Sequence, residues 1–173
     1  MLMDKEILIN EMKKIFHQVP YGIEHTLRVL GYAEEIMDGE NVNEYRREIS
    51  SIVAIFHDIG AIEAQRKYGS MEGTYQEKEG PPIARRILEE LGCDSRIIDR
   101  CCFIIGNHHT PSRIDGIDFQ IQWEADLIDN LKYTDIQMDR ETLGRYIDDN
   151  FKTSTAKKIA YRELVDKAAE DIH

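Results

Sequence analysis

The chain of 173 residues is long enough for one ordinary domain and too short for two of typical size. Its 33 acidic and 22 basic side chains give a formal net charge of −11, which argues against a broad contact with nucleic acid or with an anionic membrane surface. A small anionic substrate is compatible with this charge if a bound cation supplies positive charge locally.

Apolar residues recur at helical spacing from the start of the chain. The first predicted helix covers residues 4–19, with Asp4 as its N-cap and Pro20 as the residue that ends it. A second helix is predicted over residues 22–37. The third begins near Glu44 and ends at Gly60, because glycine is a common residue at the C-terminal end of a helix.

The middle of the chain is more polar. Residues 65–80 are rich in glycine and charge and predict a loop, after which Pro81 and Pro82 open a fourth helix that ends at Gly92. A fifth helix is predicted over residues 95–106, followed by a second polar loop. The remaining predicted helices cover residues 119–133, 140–150 and 154–172.

This pattern predicts an all-α bundle of about seven to eight helices, without a repeat or a strand. We expect residues 1–173 to form a single domain. Its motif-bearing core covers about residues 20–135, and the helices within residues 139–173 are peripheral. The first helix is amphipathic, and together with the C-terminal helices it could form the surface of a homodimer.

Histidine and aspartate residues, which can bind metal ions, stand among the apolar residues of three predicted helices. His57 and Asp58 follow the apolar run of the third helix, His25 lies in the second, and Asp126 lies in the sixth. Burying these groups is costly unless a partner satisfies them, and a divalent metal ion would, because imidazole and carboxylate are standard ligands. Taken singly, His25 is more often a hydrogen-bonded core residue, and Asp126 more often a surface residue or a partner of an arginine.

The chain resembles the HD-domain superfamily of metal-dependent phosphohydrolases in the order of these residues. His25 comes first, His57 and Asp58 follow within a His-Asp-Ile-Gly run, and Asp126 comes last. The resemblance covers about residues 20–135. It implies one metal ion held by these four residues, with Asp58 also bridging to a second metal or orienting the nucleophilic water. The ion (Fe, Mn, Co, Ni, Zn or Mg) would lower the pKa of a bound water and polarise a phosphoryl oxygen.

A second metal ion is an open question at this stage. Binuclear relatives typically add histidines before the fourth helix and after the fifth. His108 and His109 match the later position, and Glu79 stands where the earlier histidine is expected. The alternatives are that the histidine pair binds substrate phosphate without touching metal, and that Glu79 only favours the start of a helix.

The expected activity is hydrolysis of a small phosphate ester, a nucleotide or a related metabolite. Lys67, Lys78 and Arg113 are candidate phosphate contacts, because a cation stabilises charge that develops on a phosphoryl group. Two other classes remain open. Some HD-fold proteins are di-iron oxygenases with similar ligands, and a non-catalytic module could bind metal or nucleotide without turnover.

The compartment is predicted from cysteine usage and from targeting signals. The 3 cysteines have no regular spacing, so we expect free thiols in a reducing environment. The first residues do not form a secretory signal, and no apolar stretch approaches about 18 residues. We therefore expect a cytoplasmic protein.

Overall fold

The computed structural model describes residues 2–134 and 137–167, and these form helices without a strand, which confirms the all-α prediction. The predicted helix over residues 154–172 lies partly outside this range. The helices are α1 (Lys5–Ile15), α2 (Pro20–Gly39), α3 (Glu44–Phe56), α4 (Ala61–Tyr68), α5 (Gly73–Glu90), α6 (Ser95–Ile105), α7 (Ile117–Lys132), α8 (Arg140–Asn150) and α9 (Ser154–Ala160). A 3-10 turn (Pro111–Arg113) precedes α7, and a π-helical segment (Tyr161–Asp166) continues α9.

Local sequence explains where many of these helices begin and end. Five N-cap side chains accept a hydrogen bond from a backbone N–H of the first turn, a contact that contributes about 1 kcal/mol each. These caps are Asp4, Asn43, Asp94, Asp139 and Thr153. Gly69 and Gly92 follow α4 and α5 with φ of 68° and 76°, a left-handed conformation that glycine adopts without strain.

Several predicted boundaries are wrong. Pro20 does not end α1, which stops at Ile15; Pro20 is instead the first residue of α2, where its missing N–H is harmless. The predicted loop over residues 65–80 contains the second half of α4 and the first turns of α5. Pro81 and Pro82 therefore lie inside α5 rather than at its start. Packing of α5 against α4 and α6 overrides the local preference of this polar, proline-containing segment.

Gly60 has a packing role rather than the predicted role of ending α3. α3 ends at Phe56, and Gly60 is the N-cap of α4. A Cβ atom at Gly60 would lie 2.4 Å from the backbone nitrogen of Gly80, so the turn after α3 and the backbone of α5 touch there. This contact presses α5 against the segment that carries His57 and Asp58.

The helices share one hydrophobic core in which α3 is central, with Ile52, Phe56 and their apolar neighbours fully buried. The C-terminal helices place Leu143, Ile147 and Phe151 in the same cluster, and α9 packs on α2 and α7. Within the described residues, no helix is both long and apolar enough to cross a membrane.

A buried ionic network fixes the start of α7. Asp118, 0 % exposed, accepts hydrogen bonds from Arg46 Nη1 at 2.7 Å and from Arg100 Nη2 at 2.7 Å. Burial opposes ionisation of Asp118, but hydrogen bonds from Arg100 and Arg46 outweigh burial and lower its pKa. The network ties α7, which carries Asp126, to α3 and α6.

Candidate metal centre

The four residues singled out by the sequence pattern meet between α2, α7 and the turn after α3. His25 Nε2 lies 3.1 Å from Asp126 Oδ1 and 3.3 Å from Asp58 Oδ2. His57 Nε2 lies 3.2 Å from Asp58 Oδ2 and 3.4 Å from Asp126 Oδ1. The Nε2 atoms of His25 and His57 are 3.3 Å apart. Two imidazole nitrogens and two carboxylate oxygens thus converge on one point.

Each buried or half-buried imidazole of the site is oriented by a hydrogen bond from its Nδ1 atom. His25 Nδ1 donates to Asp129 Oδ2 at 2.7 Å, His57 Nδ1 to the carbonyl oxygen of Ala54 at 2.8 Å, and His108 Nδ1 to the carbonyl oxygen of Ile105 at 2.6 Å. With Nδ1 donating, each Nε2 faces the site and carries a lone pair when the ring is neutral. Histidines that bind metals are held in the same way.

An unpaired carboxylate oxygen also indicates a cation. Asp126 is 8 % exposed, and beside its buried Oδ1 atom the described residues place only the Nε2 atoms of His25, at 3.1 Å, and His57, at 3.4 Å, neither in the geometry of a hydrogen bond. An unsatisfied buried acceptor of this kind costs about 1–3 kcal/mol, and more when it is charged. A divalent ion among His25, His57, Asp58 and Asp126 would remove this cost, because nitrogen and oxygen donors suit transition metals. The residues present therefore fit a metal ion.

The charges of the site attract positive groups. Burial lowers the pKa of His25, but the nearby carboxylates of Asp126 and Asp129 outweigh burial and raise it to about 12. Burial also lowers the pKa of His57, and the negative charges of Asp58 and Asp126 raise it to about 10. Burial raises the pKa of Asp126, yet the charge of His57 and the adjacent imidazole of His25 hold it well below its ordinary value. The four side chains hold positive charge as protons or as a cation that displaces them.

The stretch that carries these residues matches a known family. The HD domain family model matches residues 22–143. The chain belongs to the HD domain family. Its fold is also similar to the crystal structure of a predicted HD superfamily hydrolase from an uncultured Thermotogales bacterium, with a TM-score of 0.70 and 24% identity over 96% of this chain and 88% of that one. No match was found among the curated proteins.

The HD-domain protein has a second group of candidate ligands, formed by Asp58, His108 and His109. His108 Nε2 lies 3.3 Å from Asp58 Oδ1, whereas Asp58 Oδ2 faces His25 and His57. The two oxygens of Asp58 thus face different groups, as a bridging ligand would require. His109 is more exposed than His108.

Glu79 does not join the second group. Its carboxylate accepts hydrogen bonds from Lys67 Nζ at 3.0 Å and from Tyr68 OH at 2.9 Å, which compensate its charge. The α5 residues beside His109 are Gln76, whose Oε1 lies 3.0 Å from His109 Nε2, and Glu77. The structure therefore places Glu79 against α4 and does not bring it beside His108 and His109.

A pocket of about 500 Å³ opens beside the candidate metal centre of the HD-domain protein and is lined in part by His25 and Asp58. None of the three predicted phosphate contacts lines it. Lys67 is paired with Glu79, Lys78 Nζ lies 5.6 Å from the ring centroid of Tyr68, and the guanidinium of Arg113 lies 5.8 Å from that of Phe103. These side chains are compensated or packed elsewhere, so the structure does not bring them to the site.

Two residues that the sequence analysis overlooked stand at the site instead. Asp129 orients His25, and Arg28 lines the pocket and pairs with Asp129. The signal was present in the sequence, because Arg28 follows His25 by three positions and Asp129 follows Asp126 by three. Residues three apart share one face of a helix.

Proposed function

We propose that this HD-domain protein is a metal-dependent phosphohydrolase that cleaves a small phosphate ester, a nucleotide or a related phosphometabolite, with an activated water. The observation that carries the proposal is the convergence of His25, His57, Asp58 and Asp126 beside an open pocket. The similar Thermotogales protein is described as a predicted hydrolase of the same superfamily, which supports the reaction class.

A bound divalent ion would supply an acidified water and would polarise the phosphoryl oxygen. His25, His57, Asp58 and Asp126 are the residues that would hold it, and hydrogen bonds from Nδ1 keep the two histidines in place. Asp58 is the candidate catalytic residue. One of its oxygens faces the metal group, and the other lies 3.3 Å from His108 Nε2, where a proton taken from water can be shared.

The pocket limits the size of the substrate. A volume of about 500 Å³ lies within the range of small-molecule sites and suits a metabolite rather than a polymer. The net charge of −11 also favours a small ligand, because an acidic surface repels a polyanion.

The test is phosphate release from a panel of phosphate mono- and diesters by protein loaded separately with Mn, Co, Ni, Zn, Mg or ferrous iron. We expect release from at least one ester class, with His57→Ala and Asp126→Asn reducing turnover by at least a hundredfold. His17→Ala is the matched control, because His17 is exposed and its Nδ1 binds only the carbonyl of Lys14 within the described chain.

Other outcomes separate the alternatives. Binding of an ester without product would contradict hydrolysis and favour a non-catalytic module. Iron-dependent consumption of O₂ without phosphate release would favour an oxygenase. Turnover that survives His57→Ala would remove the metal centre from the mechanism.

A further inference from the structure

Arg28 is the one lysine or arginine among the described residues that line the pocket. It lies on α2, three residues after His25, which places it on the same face of the helix and about 4.5 Å further along the axis. Its side chain is 33 % exposed, so it reaches the pocket without being freely solvated.

Two contacts hold the Arg28 guanidinium in one orientation. Nε donates to Asp129 Oδ1 at 2.7 Å and Nη2 donates to Asp129 Oδ2 at 3.2 Å, a bidentate pair. The guanidinium carbon lies 4.2 Å from the ring centroid of Tyr133, which stacks on it. Within residues 2–134 and 137–167, Nη1 has no hydrogen-bond partner. An arginine fixed on one side with free donors on the other is suited to bind an anion.

The position of Arg28 separates the anion that it would bind from the phosphoryl group at the candidate metal centre. Asp129 Oδ2 accepts from His25 Nδ1 at 2.7 Å and also from Arg28, so Arg28 lies behind the imidazole, on the side opposite to Nε2. A phosphoryl group held at the metal centre faces Nε2. An anionic group at Arg28 is therefore a different part of the same ligand, one helical turn away.

We propose that Arg28 binds a second anionic group of the substrate, so that the preferred substrates carry a phosphate or a carboxylate a few bonds from the phosphoryl group that is cleaved. This inference rests on the proposed function, because the first anion is that phosphoryl group. Glu24 and three aspartates also face this region, so binding of such a dianion requires the metal ion to be present.

The experiment is calorimetric titration of the metal-loaded full chain with three probes that are not phosphate esters. Methylphosphonate carries one anionic group, phosphonoacetate adds a carboxylate, and methylenediphosphonate adds a second phosphonate. We expect the wild type to bind at least one of the two larger probes about tenfold to a hundredfold more tightly than methylphosphonate, the range of a charge-assisted hydrogen bond. Which of the two gains affinity tells whether the second group is a carboxylate or a phosphate.

Substitution of Arg28 identifies the source of this gain. Arg28→Gln should reduce the affinity for the larger probes by more than it reduces methylphosphonate binding or metal content, whereas Arg28→Lys should keep part of the advantage of the larger probes. Arg145→Gln is the matched control, because Arg145 pairs with Glu141 on α8 and does not line the pocket. Metal content is measured after each titration, since the larger probes also chelate metals.

Three results would overturn the inference. Equal affinity of the wild type for all three probes would show that no second anion is recognised. An equal loss of metal and of methylphosphonate binding in both Arg28 variants would show that Arg28 only positions His25 through Asp129. A metal-loaded wild type that binds none of the probes would contradict the proposed function as well.

Discussion

Asp129 makes it possible to test the support of His25 without altering a group that faces the metal centre. The Asp129 side chain is 2 % exposed, and its carboxylate accepts from His25 Nδ1 and from Arg28 Nε, each at 2.7 Å. Asp129→Asn keeps the shape of the side chain but removes its charge and exchanges one acceptor oxygen for a donor. We expect the variant to bind metal more weakly, because His25 loses the partner that orients its ring and increases its basicity.

The expected magnitude follows from two independent considerations. Loss of an outer-shell partner of a ligating histidine typically reduces metal affinity about 10- to 100-fold, which corresponds to about 1.4–2.7 kcal/mol. The hydrogen bond between His25 and Asp129 is charge-assisted, and such bonds contribute about 1.5–3 kcal/mol. The two ranges overlap, so we expect Asp129→Asn to weaken the free energy of metal binding by about 2 kcal/mol.

The assay is competition for Mn, Co or Zn against a fluorescent chelator, with urea unfolding measured in parallel. Glu141→Gln is the control, because it removes an exposed carboxylate that pairs with Arg145 outside the site. Unchanged metal affinity of Asp129→Asn, together with a lower free energy of unfolding, would refute the reasoning. Asp129 would then only join α7 to α2.

Three further outcomes are expected. Asp118→Asn should lower the free energy of unfolding by about 1.5–3 kcal/mol in urea at pH 7, because a fully buried carboxylate loses its charge-assisted hydrogen bonds from Arg46 and Arg100. The folded-state pKa of Asp118 is lowered, so its contribution is present above pH of about 4 and is lost as pH falls below it; an equal loss at pH 2 and pH 7 would contradict this. Gly60→Ala should destabilise the protein, because the added Cβ would lie 2.4 Å from the backbone of α5. Gly31→Ala should stabilise it by about 0.5–1 kcal/mol, because a Cβ at this helical position has no atom within 4 Å. Equal Tm shifts of the two variants would contradict the packing argument. The double substitution His108→Ala/His109→Ala should reduce metal content from two ions per chain to one by elemental analysis, and two ions in both proteins would exclude the second group.

The sequence predicted the convergence of His25, His57, Asp58 and Asp126 for a physical reason. Each stands beside apolar residues in a helix or at its end, where an isolated polar group is costly. Their order in the chain resembles that of the HD-domain superfamily, which implies a common metal ion as the partner that removes this cost, and the structure brings the four residues together. The all-α fold and the family were predicted from the same pattern and are confirmed.

The error at Glu79 has a different origin. Polar composition made residues 65–80 resemble a loop, and two prolines suggested a helix start at residue 81. The tight packing of Gly80 against Gly60 allows α5 to begin at Gly73 instead, and a helix assigns a face to every residue in it. Gln76 then lies beside His109, and Glu79 turns to Lys67. The packing of α4 against α5, which composition does not encode, supplies Lys67 and Tyr68 as the partners that hold Glu79 away from His109.

The attachment of α7 at both of its ends has a consequence for how the protein would respond to the removal of a bound metal ion. Asp118 ties the first turn of α7 to two arginines, and Asp129 ties its later part to α2. Asp126 lies between these attachments on a helix that the protein holds without help from an ion. In small zinc domains the ion supplies much of the folding free energy, and chelators unfold them. Here we expect a chelator to leave helix content unchanged, so that the ion can be exchanged on a folded scaffold and its identity is set by supply.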